Sequence, residues 1–324
     1  YAWPWSPRSW LWPAPRWWAR RCSPAPTRPP RLGTKCLRAW RRPLPAAPGR
    51  TWPRCFQRPR SANRCPTPIG PPPCPTPPEP PPSTRGSTDD LGLVADLALG
   101  LAERYGAGEV LVVLDIDNTI LAMEQGLGSD QWYYWQKDLA ADDPCSPMIV
   151  GDRFAVQGAL YYASAMRPTQ PDGAAQVGRM QAAGLPVIAL TSRGPDYRLQ
   201  TFRELRRNGF SFWGSALPPR RGWPEPFVPP GGERPSLYED GVFLTAGQHK
   251  GRMLEAMLDK TGTSTPTSNV MADDKRDNLD AVWESFGKAG VQAHLWSYTR
   301  EDANVAAFDA GTAAALWNEL RPAL

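Results

Sequence analysis

Acidic side chains follow two apolar segments of the chain at the point where each segment ends. Asp115 comes directly after VLVVL, with Asp117 two residues later, and Asp273 and Asp274 come directly after SNVMA. Four carboxylates in one place would repel one another unless they shared a divalent cation, and ligation by oxygen alone suits Mg²⁺. The chain has only two histidines, and the region holds no pair of cysteines, which disfavours zinc. These residues therefore predict a Mg²⁺ site.

A hydroxyl group and a lysine complete the set of groups that attack on a phosphate requires. Thr191 follows the apolar run LPVIAL, and Lys250 lies in the phrase GQHKG. A metal ion and a lysine would neutralise the transferring group while one aspartate supplies the nucleophile. The residue types therefore predict phosphoryl transfer.

A parallel sheet would bring these residues together. Residues 89–324 alternate helical and strand patterns, which predicts an α/β domain with a mostly parallel sheet. The three apolar runs are typical of strands that are covered on both faces, and each ends in polar residues. Open α/β sheets bind ligands beyond the carboxyl ends of their strands. Helices are predicted over residues 91–102, 172–183, 251–258 and 279–287.

The first 88 residues differ in composition from the rest. They hold 24 of the 39 prolines and 16 of the 37 Lys and Arg residues but one acid, which gives a net charge of +15. Proline at this frequency interrupts helices and strands, so residues 1–88 are predicted to be disordered, with a polyproline linker over 65–82. Translation of upstream or out-of-frame GC-rich DNA gives a similar amino-acid composition, so the sequence leaves open whether residues 1–88 are a genuine part of the protein.

Charge and hydropathy restrict the partners. Residues 89–324 carry 21 basic and 31 acidic residues, and this net charge of −10 argues against nucleic-acid binding by the folded domain. The basic segment remains an alternative tether to nucleic acid or to a membrane. No apolar run reaches the length of about 20 residues that a transmembrane helix needs. We therefore expect a soluble protein, cytoplasmic or exported, that acts on a small phosphorylated substrate; its oligomeric state is undetermined.

Four motifs of the chain resemble those of the haloacid dehalogenase (HAD) superfamily of phosphohydrolases and occur in the same order. They are DIDNT from Asp115, Thr191, Lys250 and Asp274, and the resemblance covers residues 89–324. It implies a Rossmann-like three-layer sandwich with a small cap inserted after the first strand. The phrases LGSDQW and GQHKG further resemble an uncharacterised bacterial subfamily.

The resemblance implies a role for each matching residue. Asp115 would be the nucleophile that forms an aspartyl-phosphate. Asp117 would be the general acid and then the base, with its backbone carbonyl on Mg²⁺. Thr191 would donate to a phosphoryl oxygen, Lys250 would offset charge on the nucleophile and the phosphate, and Asp274 would bind the metal together with Asp115.

Four further residues would support the site. Asp273 would be an outer-sphere acid, and Asn278, where many relatives have Asp, would support Lys250. Ser192, at the start of a helix, and Arg193 would help to bind phosphate. Lys260, ten residues later, is an alternative to Lys250 as the lysine of the third motif.

Two insertions would surround the site. Residues 126–168 would form the cap, whose aromatic run WYYW lines a pocket or, as we favour, builds the cap's own core. Residues 212–244 are expected to form a long loop that ends in an edge strand at 241–245.

These features together predict a Mg²⁺-dependent phosphatase that hydrolyses a phosphate monoester. A phosphotransferase and a catalytically idle module that binds a phosphorylated ligand remain alternatives. The phrase DKTGT at residues 259–263 matches the phosphorylation sequence of P-type ion pumps. It follows a helical pattern rather than a strand, so we interpret it as a helix end with Gly262 just past it.

Overall fold

The computed structural model describes residues 82–223 and 225–323. The predictions of disorder and of a polyproline linker for residues 1–81 lie outside the described residues. Among the described residues, no helix has the length and apolar character needed to cross a membrane.

The strands are β1 (Thr84–Thr88), β2 (Val110–Leu114), β3 (Leu121–Met123), β4 (Met166–Pro168), β5 (Val187–Thr191), β6 (Leu237–Glu239), β7 (Val242–Leu244), β8 (Ser268–Asp273) and β9 (Gln292–Tyr298). The helices are α1 (Leu91–Tyr105), α2 (Asp130–Asp142), α3 (Arg153–Ala163), α4 (Gly173–Ala182), α5 (Arg198–Arg207), α6 (Lys250–Thr261), α7 (Arg276–Lys288), α8 (Asp302–Ala306) and α9 (Ala310–Leu320).

Seven strands form one mixed sheet in the order β1-β9-β8-β2-β5-β7-β6. All neighbouring strands are parallel except β6 and β7, which are antiparallel. The chain runs outward from β2 through β5 to β7 and then returns to β8 on the other side of β2. The predicted α/β fold with a mostly parallel sheet is therefore confirmed, and its topological switch point lies between β2 and β8.

Helices cover both faces of this sheet. Val110, Val112 and Leu114 of β2 belong to a core that also contains residues of α1 and α4. Leu111 and Val113, which alternate with them, belong to a second core with residues of α6 and α7. Every residue of β2 is buried, because successive side chains of a strand point to opposite faces and both faces are covered. The arrangement is the expected three-layer sandwich.

The first strand begins before the predicted domain boundary. Residues 84–88 fall within the segment predicted to be disordered, but they form β1, which pairs with β9 from Thr84 opposite His294 to Thr88 opposite Tyr298. The sequence TRGST has no apolar pattern, since β1 is an edge strand held mainly by backbone hydrogen bonds. The folded domain therefore begins no later than Thr84, and the boundary at residue 88 was wrong.

The second insertion ends in a hairpin rather than in a single edge strand. The predicted strand at 241–245 is β7, which lies inside the sheet between β5 and β6. The edge is β6. Its sequence, LYE at Leu237–Glu239, lacks the continuous apolar run that marks β7.

The cap is a helical insertion between β3 and β4, which pair with each other in antiparallel fashion. Its helices α2 and α3 enclose a small core of Leu127, Trp132, Val150 and Leu160, to which Ala313 of α9 also belongs. The favoured expectation for the aromatic run therefore holds for Trp132, which is fully buried. Participation of the C-terminal helix in this core was not predicted.

The phrase DKTGT ends a helix, as interpreted from the sequence. Asp259 lies in the last turn of α6, and Gly262 adopts a left-handed conformation with a φ of 65° directly after it. Glycine is favoured at this position because it lacks a Cβ. A phosphorylation site of the ion-pump type would have to follow a buried strand, so this phrase supports no such role.

Helix α6 packs closely against α7 at Gly251. A Cβ atom at this position would lie 2.1 Å from the carbonyl oxygen of Ala281 and 2.6 Å from Ser285 Oγ. Only glycine therefore allows the two helices to pack at their present distance. The contact fixes the first turn of α6, where Lys250 lies.

We expect Gly251→Ala to lower the free energy of unfolding by about 1–3 kcal/mol, because α6 must move away from α7. Gly100→Ala is the matched control: Gly100 is exposed in the middle of α1, and nothing lies within 4 Å of a Cβ built there. That change should raise the free energy of unfolding by about 0.5–1 kcal/mol. Urea unfolding of the full chain measures both, and equal stability of Gly251→Ala and the unchanged protein would contradict the packing argument.

Candidate active site

Three carboxylates meet at the switch point of the sheet. Leu114 of β2 lies opposite Ala272 of β8, and the backbone N–H of Asp115 donates to the Ala272 carbonyl at 3.0 Å. This register places Asp115 beside Asp273 at the carboxyl ends of the two strands. One oxygen of each of Asp115, Asp273 and Asp274 lies within 4.8 Å of the others. The cluster could hold a metal ion.

Lys250 lies between two of these carboxylates. Its Nζ is 2.6 Å from Asp115 Oδ1, 2.6 Å from Asp273 Oδ2 and 3.1 Å from the Leu190 carbonyl oxygen. Burial by itself lowers the pKa of Lys250, but the charges of Asp115 and Asp273 outweigh burial and raise the pKa above its usual range. Lys260 is at the far end of α6, with its Nζ 4.3 Å from the ring centre of Trp223. The structure therefore places Lys250, and not Lys260, in the carboxylate cluster.

The carboxylates of the cluster are electrostatically crowded. Burial raises the pKa of Asp115 to about 7, with Lys250 opposing the rise and Asp273 adding to it. Burial also raises the pKa of Asp274 to about 9, and the charges of Asp115 and Asp273 raise it further. One lysine thus does not neutralise the cluster, and a further cation would be bound favourably there.

Asp273 uses both of its oxygens within the protein. Oδ1 accepts from the backbone N–H of Lys275 at 2.9 Å and from Asn278 Nδ2 at 2.9 Å, while Oδ2 accepts from Lys250. Asn278 therefore acts on Lys250 through Asp273 and not by direct contact. Asp274 accepts one hydrogen bond among the described residues, from Asn118 Nδ2 at 3.3 Å. Asp115 and Asp274 are consequently the carboxylates of the cluster that are better placed to bind a metal.

Asp117 points to a different set of partners. Arg193 binds it through two hydrogen bonds, from Nε to Oδ2 at 2.9 Å and from Nη2 to Oδ1 at 2.7 Å, and the Tyr161 hydroxyl donates to Oδ1. Burial favours the protonated form of Asp117, but Arg193 and Tyr161 outweigh it and lower the pKa of Asp117 below its usual value. The carboxylate is not part of the cluster of three.

The segment after β5 differs from the prediction. Thr191 ends β5, is fully buried, and accepts a hydrogen bond at Oγ1 from the backbone N–H of Arg193 at 3.1 Å. Ser192 is exposed and does not begin a helix, because a 3₁₀ turn at Pro195–Tyr197 precedes α5. The fixed φ of proline at the start of that turn moves the helix away from the strand end.

Arg193 also has a different partner from the one expected. It is 7% exposed, and Nη1 donates to Thr201 Oγ1 at 2.9 Å in addition to the two bonds to Asp117. Its guanidinium stacks 4.4 Å from the ring centre of Tyr161. In this structure the guanidinium is occupied by protein groups, so Arg193 acts on Asp117 and is not presented to a phosphate.

The cap supplies contacts that the sequence analysis missed. Tyr161 comes from α3, and Gln131 at the start of α2 donates from Nε2 to Asn118 Oδ1 at 3.2 Å. Lys275 Nζ is 2.5 Å from Asp130 Oδ2 and 3.9 Å from the ring centre of Tyr134. None of these residues carries a local signal, because their role depends on how the cap folds back over the strand ends.

We expect Lys250→Met to lower the free energy of unfolding by about 3–5 kcal/mol near pH 7.5, because two buried carboxylates lose their counter-charge. The loss should shrink as the pH falls, since protonation of Asp115, whose pKa is raised to about 7, removes the repulsion. Lys260→Met is the matched control on the same helix and should change the free energy by about 1 kcal/mol or less. Chemical unfolding of the full chain tests this, and equal losses for the two variants would refute a structural role of the ion pair.

Comparison with known families gives one relationship. A family described as "Protein of unknown function (DUF2608)" matches residues 95–324. No curated protein matches the chain. The matched region includes the strand ends, the cap and the carboxylate cluster. Because it covers more than half of the chain, the protein belongs to the DUF2608 family of proteins of unknown function.

Proposed function

We propose that this protein is a Mg²⁺-dependent phosphatase that hydrolyses a phosphate monoester through an aspartyl-phosphate on Asp115. One observation carries the proposal: Lys250 Nζ lies 2.6 Å from both Asp115 and Asp273 at the carboxyl ends of β2 and β8. A buried lysine beside a potential nucleophile suits chemistry in which negative charge develops next to a carboxylate. The resemblance of the four motifs to the HAD superfamily supports the same reaction.

The residues present are suited to Mg²⁺. All three clustered side chains offer carboxylate oxygens, the ligands that Mg²⁺ prefers. Burial is the main reason that the pKa values of Asp115 and Asp274 are raised, and the neighbouring carboxylates add to the rise. Asp115 and Asp274 would bind the ion, with the Asp117 carbonyl as a further ligand and Asp273 behind them. When bound, the ion supplies positive charge that offsets the charge of the phosphoryl group and of the carboxylates.

Asp115 is the nucleophile of the proposed first step. Lys250 holds Oδ1, which leaves Oδ2 to attack phosphorus. A bond forms between Oδ2 and phosphorus while the bond between phosphorus and the alcohol oxygen breaks, and the bonding pair stays on the alcohol oxygen. Lys250 opposes protonation of Asp115 before attack and offsets the charge of the phosphoryl group. Thr191 would hydrogen-bond a phosphoryl oxygen once its hydroxyl turns away from the Arg193 amide.

Asp117 is the proton carrier of the proposal. The leaving alcohol oxygen takes a proton from Asp117, and in the second step the ionised carboxylate takes a proton from water. That water then attacks phosphorus, the bond between phosphorus and Asp115 breaks, and inorganic phosphate leaves. Arg193 and Tyr161 hold the ionised form, which is the form that the second step uses. The first step therefore requires the Arg193 contact to loosen.

Hydrolysis of 4-nitrophenyl phosphate by the full chain tests the reaction. We expect turnover with Mg²⁺ and none with a chelator, and Asp115→Asn should lower the rate at least about a thousandfold because it removes the nucleophile. Asp259→Asn is the matched control, since Asp259 lies in the competing phrase DKTGT at a helix end. Full activity of Asp115→Asn, or loss of activity in Asp259→Asn alone, would contradict the proposal. Transfer of phosphate to added glycerol in preference to water would instead indicate a phosphotransferase.

Asp274→Asn separates metal binding from folding. Without metal, the raised pKa of Asp274 means that its contribution to stability is present below pH 3.8 and is lost as the pH rises through about 9. The variant lacks this loss, so in a chelator at pH 8 its Tm should exceed that of the unchanged protein by about 2–4 °C.

Added Mg²⁺ should reverse this order. An ion at ten times its Kd stabilises the unchanged protein by about 1.4 kcal/mol, and Asp274→Asn should gain little. Thermal unfolding at pH 5 and pH 8, with and without Mg²⁺, makes the comparison. Equal stabilisation of both proteins by Mg²⁺ would exclude Asp274 as a ligand.

A further inference from the structure

The carbonyl groups at the end of the cap helix α3 are bound by side chains. The last carbonyls of a helix have no N–H partner within the helix. Ser164 Oγ donates to the Leu160 carbonyl. Arg203 of α5 donates from Nη1 to the Tyr162 carbonyl and from Nη2 to the Tyr161 carbonyl at 3.1 Å. The same Nη2 donates to the Ser164 carbonyl at 2.9 Å. One guanidinium from another helix thus binds three carbonyls at the end of α3.

The side chain of Arg203 is itself held in place. Its Nε donates at 2.6 Å to Oε1 of Glu204, which is fully buried. Oε2 of Glu204 accepts from the backbone N–H of Met166 at 2.9 Å, so the pair also holds the strand β4 that follows α3. A planar guanidinium that is fixed by a carboxylate points its remaining donors in set directions. Arg203 therefore fixes the position of the last turn of α3.

Two side chains that precede Arg203 also bind backbone carbonyls of α3. The Tyr197 hydroxyl donates to the Phe154 carbonyl at 3.0 Å, and Gln200 Nε2 donates to the Gly158 carbonyl at 3.1 Å. The donors at 197, 200 and 203 are three residues apart, so they lie on one side of α5 and of the turn before it. Their acceptors follow one another along α3. Arg203 makes the last contacts of this row, at the end of the helix.

The side chain of Tyr161 extends from the last turn of α3 to the candidate active site. Its hydroxyl donates to Oδ1 of Asp117, and Arg193 Nη2 lies 3.0 Å from the same hydroxyl. Tyr161 is buried, and a closely packed ring moves only when the backbone that carries it moves. Tyr161 therefore links Arg203, at its carbonyl, to Asp117, at its hydroxyl.

We infer that Arg203 is a positioning residue, which holds the end of α3 so that the Tyr161 hydroxyl meets Asp117. Without Arg203, the last turn of α3 loses three hydrogen bonds and can shift. A displacement of about 1 Å is enough to break a short hydrogen bond or to misplace a reacting group. The consequence for catalysis rests on the proposed function, in which Asp117 gives a proton to the leaving alcohol oxygen.

Thermal unfolding of the full chain tests the positioning without an assay of activity. Tyr161→Phe removes only the hydroxyl and should lower the Tm by about 3–6 °C, because the Asp117 carboxylate loses a buried hydrogen bond. In Arg203→Met the hydroxyl is already displaced, so the same change should lower the Tm by less than half as much.

Arg206→Met is the matched control on the same helix. Arg206 is exposed, and its Nε donates to the Phe202 carbonyl within α5. Tyr161→Phe should therefore lower the Tm of Arg206→Met by as much as it does in the unchanged protein. Equal losses in the unchanged protein, in Arg206→Met and in Arg203→Met would overturn the inference.

Arg203→Lys makes the same comparison if Arg203→Met does not fold. The lysine keeps the positive charge but has one nitrogen, whereas Arg203 uses Nη1 and Nη2 for different carbonyls. The Tm loss that Tyr161→Phe causes should again be smaller than in the unchanged protein. An undiminished loss would count against the inference in the same way.

The leaving group of the substrate separates misplacement of Asp117 from a general loss of structure. Phenyl phosphate needs a proton on its leaving oxygen far more than 4-nitrophenyl phosphate does. With Mg²⁺, we expect Arg203→Met to lower kcat/KM at least about tenfold for phenyl phosphate and less than about threefold for 4-nitrophenyl phosphate. Arg206→Met should change neither value.

The two substrates also separate the inference from the proposed function. Equal losses of kcat/KM for both substrates in Arg203→Met would contradict a role of Arg203 at Asp117. Absence of turnover in the unchanged protein would instead refute the proposed phosphatase. In that case the unfolding comparison still decides whether Arg203 positions Tyr161.

Discussion

The candidate site depends on one buried cation, the ammonium group of Lys250. It is 1% exposed and is held between Asp115 and Asp273, which are 5% and 0% exposed. A buried charge is tolerated only when it is paired and hydrogen-bonded, and either partner left alone would strongly oppose folding. Three elements must therefore meet correctly at this point: β2 and β8 carry the carboxylates, and α6 carries the lysine. The ion pair thus ties the geometry of the site to the packing of the sheet.

Two features of the fold make that meeting possible. The parallel register of β2 and β8 sets Asp115 and Asp273 side by side at the switch point. The missing side chain of Gly251 lets α6 pack closely against α7, which fixes the helix turn that starts at Lys250. Neither feature contacts a ligand, yet both position groups that would. Stability and the candidate chemistry consequently rest on the same contacts.

The cap contacts both the candidate active site and the C-terminal helix α9. Tyr161 reaches down to the carboxylate of Asp117, where Arg193 completes the contact. On the same insertion, Trp132 packs in a core that includes Ala313 of the C-terminal helix. Helix α2 thus has one side toward the strand ends and another toward α9. A change in the packing on either side of the cap would therefore move Tyr161, which binds Asp117, and Asp130, which binds Lys275.

The sequence by itself determined the α/β class, the three buried strands β2, β5 and β8, and the meeting of Asp115, Asp273, Asp274 and Lys250. These follow from local patterns, because continuous apolar runs mark buried strands and parallel strands end at one edge of the sheet. Only the tertiary structure decided the rest. The edge strand β1, the binding of Asp117 by Arg193 and Tyr161, and the packing of Ala313 from α9 into the cap core all depend on contacts between segments far apart in the chain. Such contacts are set by how the cap and the helices pack, and packing is cooperative, so no local pattern encodes them.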